Sequence, residues 1–329
     1  MSAHVQVKPS GREFFVDGND SLLEAALRAG LSLDYGCSAG SCGKCKARVV
    51  SGQVQKTRHS DCVLTGAEKS AGVVLMCCNT AVADLVIEAR EAHGAGDMPL
   101  QAIDAKLKSV GPLGDEVRLL HLQTPRGNRL RFLAGQSVSL SLADGSSASL
   151  PVASCPCDDR NLQFHVRRRA GDAFAERVFG GLKGVDSLRV TGPRGEFVLD
   201  EKSHRPLVFI AADTGFAPIK SLIEHAMALD ASDTLHLVWI DSGAGGHYLD
   251  NLCRAWSDAL DDFRYTPLTA KGALAQDEAV LRQVLQDHPR LGDCDVYVAG
   301  PAPWANAAEF QLLEHGLPRE QSFLNTVES

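Results

Sequence analysis

Four cysteines constrain this chain more than any other feature of its sequence. Cys37, Cys42 and Cys45 lie in one short glycine-rich loop, and Cys77 follows much later, at the end of the apolar run 73–76. If the four thiolates bind one metal centre, the fold must bring the loop and the distant cysteine together, which couples metal binding to folding.

The spacing of these cysteines indicates the kind of centre. C-x4-C-x2-C followed by a distant cysteine is the spacing of plant-type 2Fe-2S proteins. A structural zinc site is the alternative, but zinc sites favour paired C-x2-C knuckles. Gly36, Gly40 and Gly43 would let backbone N–H groups approach the sulfurs of an anionic cluster. The sequence therefore predicts a 2Fe-2S cluster with the ligands Cys37, Cys42, Cys45 and Cys77.

The chain has ten cysteines, and the other six are expected to play no part in the cluster. Cys62 and Cys78 are interpreted as bystanders, with the Cys78 side chain pointing away from Cys77. The remaining four are scattered and expected to be small core residues; they are Cys155, Cys157, Cys253 and Cys294. The polar, alternating start of the chain does not resemble a signal peptide, which argues against a disulfide framework and predicts a cytoplasmic protein.

Composition and charge exclude several classes of protein. The 329 residues are 44% hydrophobic and 22% charged, which is ordinary for two or three globular domains. No apolar run approaches the roughly 20 residues of a membrane helix, so we expect no membrane span. The net charge of −8 makes nucleic acid an unsuitable partner. It divides into −1 over residues 1–98, +4 over 99–199 and −11 over 200–329, so the middle segment could hold a phosphorylated cofactor or an acidic partner.

Three segments follow from the periodicity. Residues 4–7 and 13–16 predict a hairpin and residues 22–29 a capped helix, in a small mixed sheet over residues 1–93 with a linker at 94–100. Short regular strands between 101 and 200 predict an antiparallel β-barrel. Apolar strands alternating with helices, one of them around 276–286, predict a doubly wound parallel sheet over 201–329. The fold class is therefore multidomain, α+β and α/β.

These features resemble known families. The cysteine loop, the helix before it and the ending Leu75-Met76-Cys77 resemble the plant-type ferredoxin domain, which implies a β-grasp fold. The rest resembles the ferredoxin-NADP reductase superfamily, through the segments 132–138, 164–171 and 191–199, which match F-x-x-G-Q-Y, H-V-R…G and G-P-x-G-x-F. The domain order is that of reductase components of Rieske-type ring-hydroxylating dioxygenases and of CDP-6-deoxy-glucoseen reductase.

The resemblance implies two cofactor sites in the reductase half. The flavin, FAD, would bind the barrel at Val152, Ala153, Ser154, His165, Val166, Arg167 and Gly171. The nicotinamide cofactor would bind the last domain at Thr214, Gly215, Pro218, Asp241, Gly300 and Pro301. Asp241, at the end of a strand, predicts a preference for NADH, because a carboxylate accepts hydrogen bonds from a ribose hydroxyl but repels the 2′-phosphate of NADPH; alternatively, it caps the following turn.

The chain departs from the family at several cofactor contacts. The flavin motif R-x-Y-S falls on residues 148–151, which lack both the arginine and the tyrosine. Asp172 and Asp213 replace glycines of two phosphate turns, and Ala299 replaces the cysteine of C-G-P. Loss of a bidentate arginine and a stacked ring predicts weak FAD binding, unless a nearby cation substitutes, such as Arg167, Arg168 or Arg169.

Two functions follow from the resemblance. In the first, the chain passes electrons from NAD(P)H through FAD and the cluster to an acceptor protein, with an oxygenase component as the expected partner. FAD is needed because a hydride carries two electrons and the cluster takes one. In the second, the reductase half has lost one or both cofactors, and the chain is a cluster-bearing docking or relay subunit.

Overall fold

A computed structural model describes residues 2–58, 63–243, 246–271, 274 and 278–327. Within this part of the chain, the strands gather into three large sheets with separate apolar cores, as the sequence predicts.

The first sheet is mixed and carries one helix. Its elements are β1 (Ser2–Lys8), β2 (Glu13–Asp17), α1 (Leu22–Arg28), β3 (Lys46–Ser51), β4 (Val54–Lys56), α2 (Gly66–Ser70), β5 (Val73–Leu75), β6 (Asn79–Ala81) and β7 (Leu85–Glu88). The strand order is β2-β1-β7-β3-β5; β1 and β2 form the predicted hairpin, and β1 pairs with β7 in parallel. The Ser21 hydroxyl accepts a hydrogen bond from Glu24 N and caps α1, whose apolar side packs on the sheet. This is the expected β-grasp arrangement.

The second sheet is antiparallel and nearly closed. Its elements are β8 (Gln101–Pro112), β9 (Val117–Gln123), β10 (Ser137–Ser141), β11 (Ser147–Pro151), β12 (Asn161–Arg167), α3 (Ala173–Phe179) and β13 (Ser187–Arg194), in the strand order β11-β10-β13-β8-β9-β12. Just after β11, Ala153 N donates to Gln163 O on the opposite edge strand, at 2.8 Å. The bond brings the two edge strands together and gives the predicted barrel.

The third sheet is parallel, with helices on both faces. Its elements are β14 (Leu207–Ala212), α4 (Phe216–Leu229), β15 (Leu235–Asp241), α5 (Asp250–Ala259), β16 (Phe263–Thr269), α6 (Ala279–Asp287), β17 (Asp295–Pro301), α7 (Ala302–Glu314) and β18 (Ser322–Val327), in the strand order β16-β15-β14-β17-β18. Because α4 and α5 cover one face and α6 and α7 the other, the sheet is doubly wound, as predicted. The predicted start of α6 at Gln276 lies outside the described residues.

The first and second sheets are joined beside the cysteine loop. Ser38 N donates to Arg126 O at 2.9 Å, and Arg129 N donates to Gly36 O at 3.0 Å. The buried Arg129 guanidinium also bonds Asp159 in the barrel and Glu24 on α1, the latter at 2.7 Å. Backbone bonds therefore tie the loop directly to the barrel. No described helix is long and apolar enough to cross a membrane.

Candidate functional site

The four predicted cluster ligands lie together as two pairs of thiols. Cys45 and Cys77 flank the paired strands β3 and β5, and their sulfurs are 3.2 Å apart. Cys37 and Cys42 form the other pair, and each thiol shifts the pKa of the other. Within the described ranges, no three His, Cys, Asp or Glu side chains converge on a single ion position. A 2Fe-2S cluster takes two ligands at each of its irons, so two pairs of thiols fit it.

The loop around Cys37 directs hydrogen-bond donors at sulfur. Gly40 and Gly43 turn the chain with φ of +77° and +72°, a region that favours glycine. Burial raises the pKa of Cys37, but hydrogen bonds from Ala39 N–H, the Ser41 hydroxyl and Cys42 lower it to about 6. These donors are the groups that an anionic cluster requires from its surroundings.

The second pair of thiols cannot ionise together without a cation. The hydrogen bond between the thiols of Cys45 and Cys77 lowers the pKa of Cys45 and raises that of Cys77. Once one thiolate has formed, it accepts a hydrogen bond from the other thiol, which then loses its proton less readily. A metal centre would remove this conflict, since a coordinating thiol is deprotonated outright.

Cys78 lies closer to the cluster site than the sequence predicts. Its sulfur is 3.6 Å from that of Cys77, so the expectation that it points away is wrong. The physical reason is the 3-10 turn Met76–Cys78: neighbouring side chains in such a turn are about 120° apart, whereas those in a strand point to opposite faces. Cys62 lies outside the described residues.

A cavity of about 270 Å³ marks the candidate flavin site, between the barrel, the turn after β14 and the end of β18. Its volume is near the lower end of small-molecule sites, roughly 300 Å³. It is lined by Ser137, Ala148, Ser149, Leu150, Pro151, His165, Val166, Arg167, Arg169, Asp172, Phe174, Thr214, Asn325, Thr326 and Val327. Thus His165, Val166, Arg167 and Thr214 meet there, as the predicted flavin and nicotinamide residues should. Arg169 was named in the sequence analysis as a substitute cation, whereas the end of β18 was missed.

The other predicted cofactor residues do not line this cavity. Val152 belongs to the barrel core, while Ala153 O accepts from Lys220 Nζ and Ser154 O from Ser221 Oγ, which fastens the barrel to α4. Gly171, Pro218, Gly300 and Pro301 are also absent from its wall.

Two further predicted nicotinamide residues have contacts within the fold. A Cβ at position 215 would lie 2.1 Å from Ala299 O. The turn after β14 can therefore approach the end of β17 this closely because Gly215 has no side chain. Asp241 Oδ1 accepts a hydrogen bond from Gly246 N at 3.1 Å. This contact corresponds to the alternative role of Asp241, in which it caps the turn after its strand.

His165 presents an unpaired polar atom at the cavity. Its Nδ1 lies 3.1 Å from the Tyr248 hydroxyl, and its Nε2 is buried with no hydrogen-bond partner among the described residues. Burial, with a smaller contribution from Lys220, lowers the pKa of His165 to about 3, so the ring is neutral. A buried group of this kind needs a partner, and a cofactor with polar atoms at its ring edge would provide one.

The cations near the cavity already have partners. Arg167 Nη1 lies 2.9 Å from Asp213 Oδ2, and Arg169 Nη2 lies 2.8 Å from Asp172 Oδ2. Arg168 stacks on the Phe179 ring at 4.5 Å. The two carboxylates that replace glycines in the family motifs thus neutralise two of the arginines that could meet a phosphate.

Cys155 and Cys157 form a disulfide around Pro156, so the expectation of isolated core cysteines is wrong for this pair. The turn lies where three domains meet: Cys155 N donates to Glu224 on α4, and Cys157 faces residues after α1. Sequence spacing could have suggested the pair, but not its location.

Comparison with known proteins gives the class. Residues 5–83 match the 2Fe-2S iron-sulfur cluster binding domain, and residues 209–309 match the oxidoreductase NAD-binding domain. The chain is 30% identical over 326 residues to CDP-6-deoxy-L-threo-D-glycero-4-hexulose-3-dehydrase reductase of Yersinia pestis, covering 98% of both chains. It therefore belongs to the NAD(P)H-dependent iron-sulfur flavoprotein reductases, which combine a 2Fe-2S ferredoxin domain with a ferredoxin reductase module.

Oxygenase reductases are among the other relatives. The chain is 31% identical over 265 residues to terephthalate 1,2-dioxygenase reductase component 1 of Comamonas sp, covering 80% of this chain and 78% of the relative. Among solved structures, the Amycolatopsis cytochrome P450 reductase GcoB matches with a TM-score of 0.62 and 25% identity over 99% of both chains. The ferredoxin reductase of carbazole 1,9a-dioxygenase has the same fold, with a TM-score of 0.58, 20% identity, and 99% of this chain and 98% of that chain covered.

Proposed function

We propose that the chain takes a hydride from NADH and delivers single electrons from its cluster to an acceptor protein, an oxygenase component being the expected class. The observation that carries this proposal is the cavity shared by the barrel, the turn after β14 and β18. Bound there, FAD would supply the conversion of a two-electron donor into single electrons. The proposed units are residues 1–93, the linker 94–100, residues 101–200 and residues 201–329, and the proposed compartment is the cytoplasm.

The residues of the cavity would hold the flavin by shape and by hydrogen bonds. Leu150 and Pro151 offer an apolar surface to a ring, and His165 Nε2 offers one hydrogen bond to its edge. The turn that contains Thr214 leads into α4, whose first N–H groups suit the pyrophosphate of the dinucleotide.

The visible spectrum tests the proposal. The purified chain should show flavin and iron-sulfur absorbance, and anaerobic NADH should bleach both. A red-brown protein that lacks FAD, does not bind added FAD and is not bleached by NADH would favour the relay subunit instead.

The proposed cluster ligands are Cys37, Cys42, Cys45 and Cys77. Replacing Cys77 with serine should abolish or strongly shift the spectrum, whereas Cys78→Ser should leave it intact. The sulfurs of Cys77 and Cys78 are only 3.6 Å apart. Comparing the two variants therefore shows which of the two neighbouring cysteines binds the cluster. Loss of the cluster in Cys78→Ser, with Cys77→Ser unaffected, would contradict the ligand assignment.

We also propose that FAD is bound weakly and that NADH is preferred over NADPH. Without the motif's arginine and tyrosine, the flavin should leave on desalting. Asp241, at the end of β15, would repel a 2′-phosphate, so specificity for NADPH should rise in Asp241→Ala. FAD that survives dialysis, or a higher kcat/KM for NADPH that is unchanged in the variant, would contradict these two proposals.

A further inference from the structure

One cluster ligand reaches the protein surface. Cys42 is exposed, whereas Cys37, Cys45 and Cys77 are buried. The face around Cys42 is therefore the shortest route between the cluster site and anything outside the protein.

Three exposed cations surround this face. The stem of Lys44 lies against Gly36, where an added Cβ would be 2.9 Å from Lys44 Cδ. Arg58 Nη1 donates to Ser38 O at 2.5 Å, and Ser38 N donates to the carbonyl of Arg126. The side chains of Lys44 and Arg58 and the backbone of Arg126 thus lie next to residues 36–38, beside the first cluster ligand. We name Lys44, Arg58 and Arg126 the cationic rim.

Acidic residues of the first domain pair with cations outside the rim. Glu68 pairs with Lys46 at 2.5 Å, Glu24 with Arg129 at 2.7 Å, and Asp34 with Arg131 at 2.8 Å. Within the described ranges, no carboxylate pairs with a cation of the rim. The rim therefore brings three positive charges to this face, which the anionic cluster offsets in part, although the whole chain carries −8.

We propose that the cationic rim is the docking surface for an acidic electron-acceptor protein, an inference that rests on the proposed function. Complementary charge raises the rate of encounter and orients the partner. A transient electron-transfer contact is small, so three cations around one exposed ligand form a substantial part of it. Since Arg126 belongs to the barrel and the other two to the first domain, the surface exists only while the two domains are joined.

Binding to two haem proteins of opposite charge tests the sign of this surface. Immobilised cytochrome b5, which is acidic, should bind the full-length holoprotein, and its Kd should rise steeply with salt. Cytochrome c, which is basic, should bind far more weakly. The Arg126→Glu variant should weaken binding of cytochrome b5 by about tenfold and Lys44→Glu/Arg126→Glu by more. Equal affinity for both haem proteins, or unchanged binding by the variants, would overturn the proposal.

A matched control and a second substrate keep the outcomes distinct. Arg290→Glu makes the same charge change at an 85% exposed side chain in the loop between α6 and β17, and it should leave cytochrome b5 binding within about twofold.

Reduction of menadione, an uncharged quinone, reports the proposed function without protein docking. If NADH does not reduce menadione, the proposed function fails; if menadione is reduced but the rim variants bind normally, only the docking surface fails. Arg126→Glu lies outside the cysteine loop, so an intact visible spectrum in this variant excludes cluster loss as the cause.

Discussion

Asp213 changes the turn beside the candidate flavin cavity through its charge and its contacts. It occupies a position with φ of +50°, where the related motif has glycine, at a cost of about 1 kcal/mol for a residue with a side chain. Its contacts offset that cost: the carboxylate pairs with Arg167 and accepts from Ser242 N, and its carbonyl accepts from Trp239 Nε1. Asp213 thus holds the turn after β14 closed on the barrel.

Asp213→Gly should strengthen FAD binding. The change releases Arg167 to meet a phosphate and removes a carboxylate from the cavity's edge, so we expect the Kd to fall about threefold to tenfold. Titration of the flavin-free protein with FAD, followed by fluorescence quenching, measures this. Asp213→Asn is the control, because it keeps a side-chain acceptor while removing the charge; a Kd that rises in both variants would show that the ion pair helps to form the site.

The sequence predicted the residues whose role is set locally. The cluster ligands could be proposed because the spacing of the four cysteines alone is diagnostic of a 2Fe-2S site. The pairing of Arg167 with Asp213 could not, because the two residues lie on different domains and only the tertiary structure brings them within 2.9 Å. For the same reason, the sequence motif could identify His165 but could not show that its Nε2 is buried without a hydrogen-bond partner among the described residues.

Among the elements, the end of α6 places the half-buried His288 against the buried His236 on β15. His236 Nδ1 lies 2.8 Å from His288 Nε2, and its own Nε2 lies 2.9 Å from the Thr266 hydroxyl. Burial, reinforced by His288 and Arg264, lowers the pKa of His236 to about 4. The pKa of His288 is also lowered, chiefly by burial. The parallel sheet is therefore one acid-sensitive part of the molecule; the barrel is another, because burial lowers the pKa of His165 to about 3.

Stability should fall as pH is lowered through this window. An unfolded histidine has a pKa of about 6.5, so between pH 6.5 and 4 the unfolded chain binds more protons than the folded one. His236 alone should cost roughly 2 kcal/mol in free energy of unfolding between about pH 7.5 and pH 5. Urea unfolding at both pH values measures it, and His236→Gln should reduce the slope by up to about 1.4 kcal/mol per pH unit. An equal slope in the variant would locate the acid sensitivity elsewhere.

The periodicity of apolar residues predicted most helices and strands, but it did not predict how the ends of these elements pack against one another. The buried strands β14, β15 and β17 were recognised from their apolar runs. The part that β18 plays was not, because Asn325, Thr326 and Val327 reach the cavity only through parallel pairing with β17. The disulfide between Cys155 and Cys157 was likewise not predicted, because both cysteines were expected to be isolated core residues.

For the molecule as a whole, Arg129 is one of two ionic links between the first two domains in the described chain, the other being Arg131 with Asp34. Its side chain is 1% exposed, and Asp159 is fully buried. Arg129→Met would leave that carboxylate without a partner, which typically costs about 3–5 kcal/mol. We expect the urea midpoint, followed by cluster absorbance, to fall accordingly. Adding Asp159→Asn should recover a large part of the loss; no recovery would mean that the bond to Glu24 matters more than the buried charge.

The bonds from Ser38 N to Arg126 O and from Arg129 N to Gly36 O give the cysteine loop a fixed place on the barrel. In electron carriers whose redox domain is free on a tether, the domain itself swings between donor and acceptor. Here the cluster stays in one place on the barrel, and the acceptor must come to it. Turnover should then be limited by how often acceptors arrive, so it should respond to acceptor concentration and hardly at all to solvent viscosity once the acceptor is saturating.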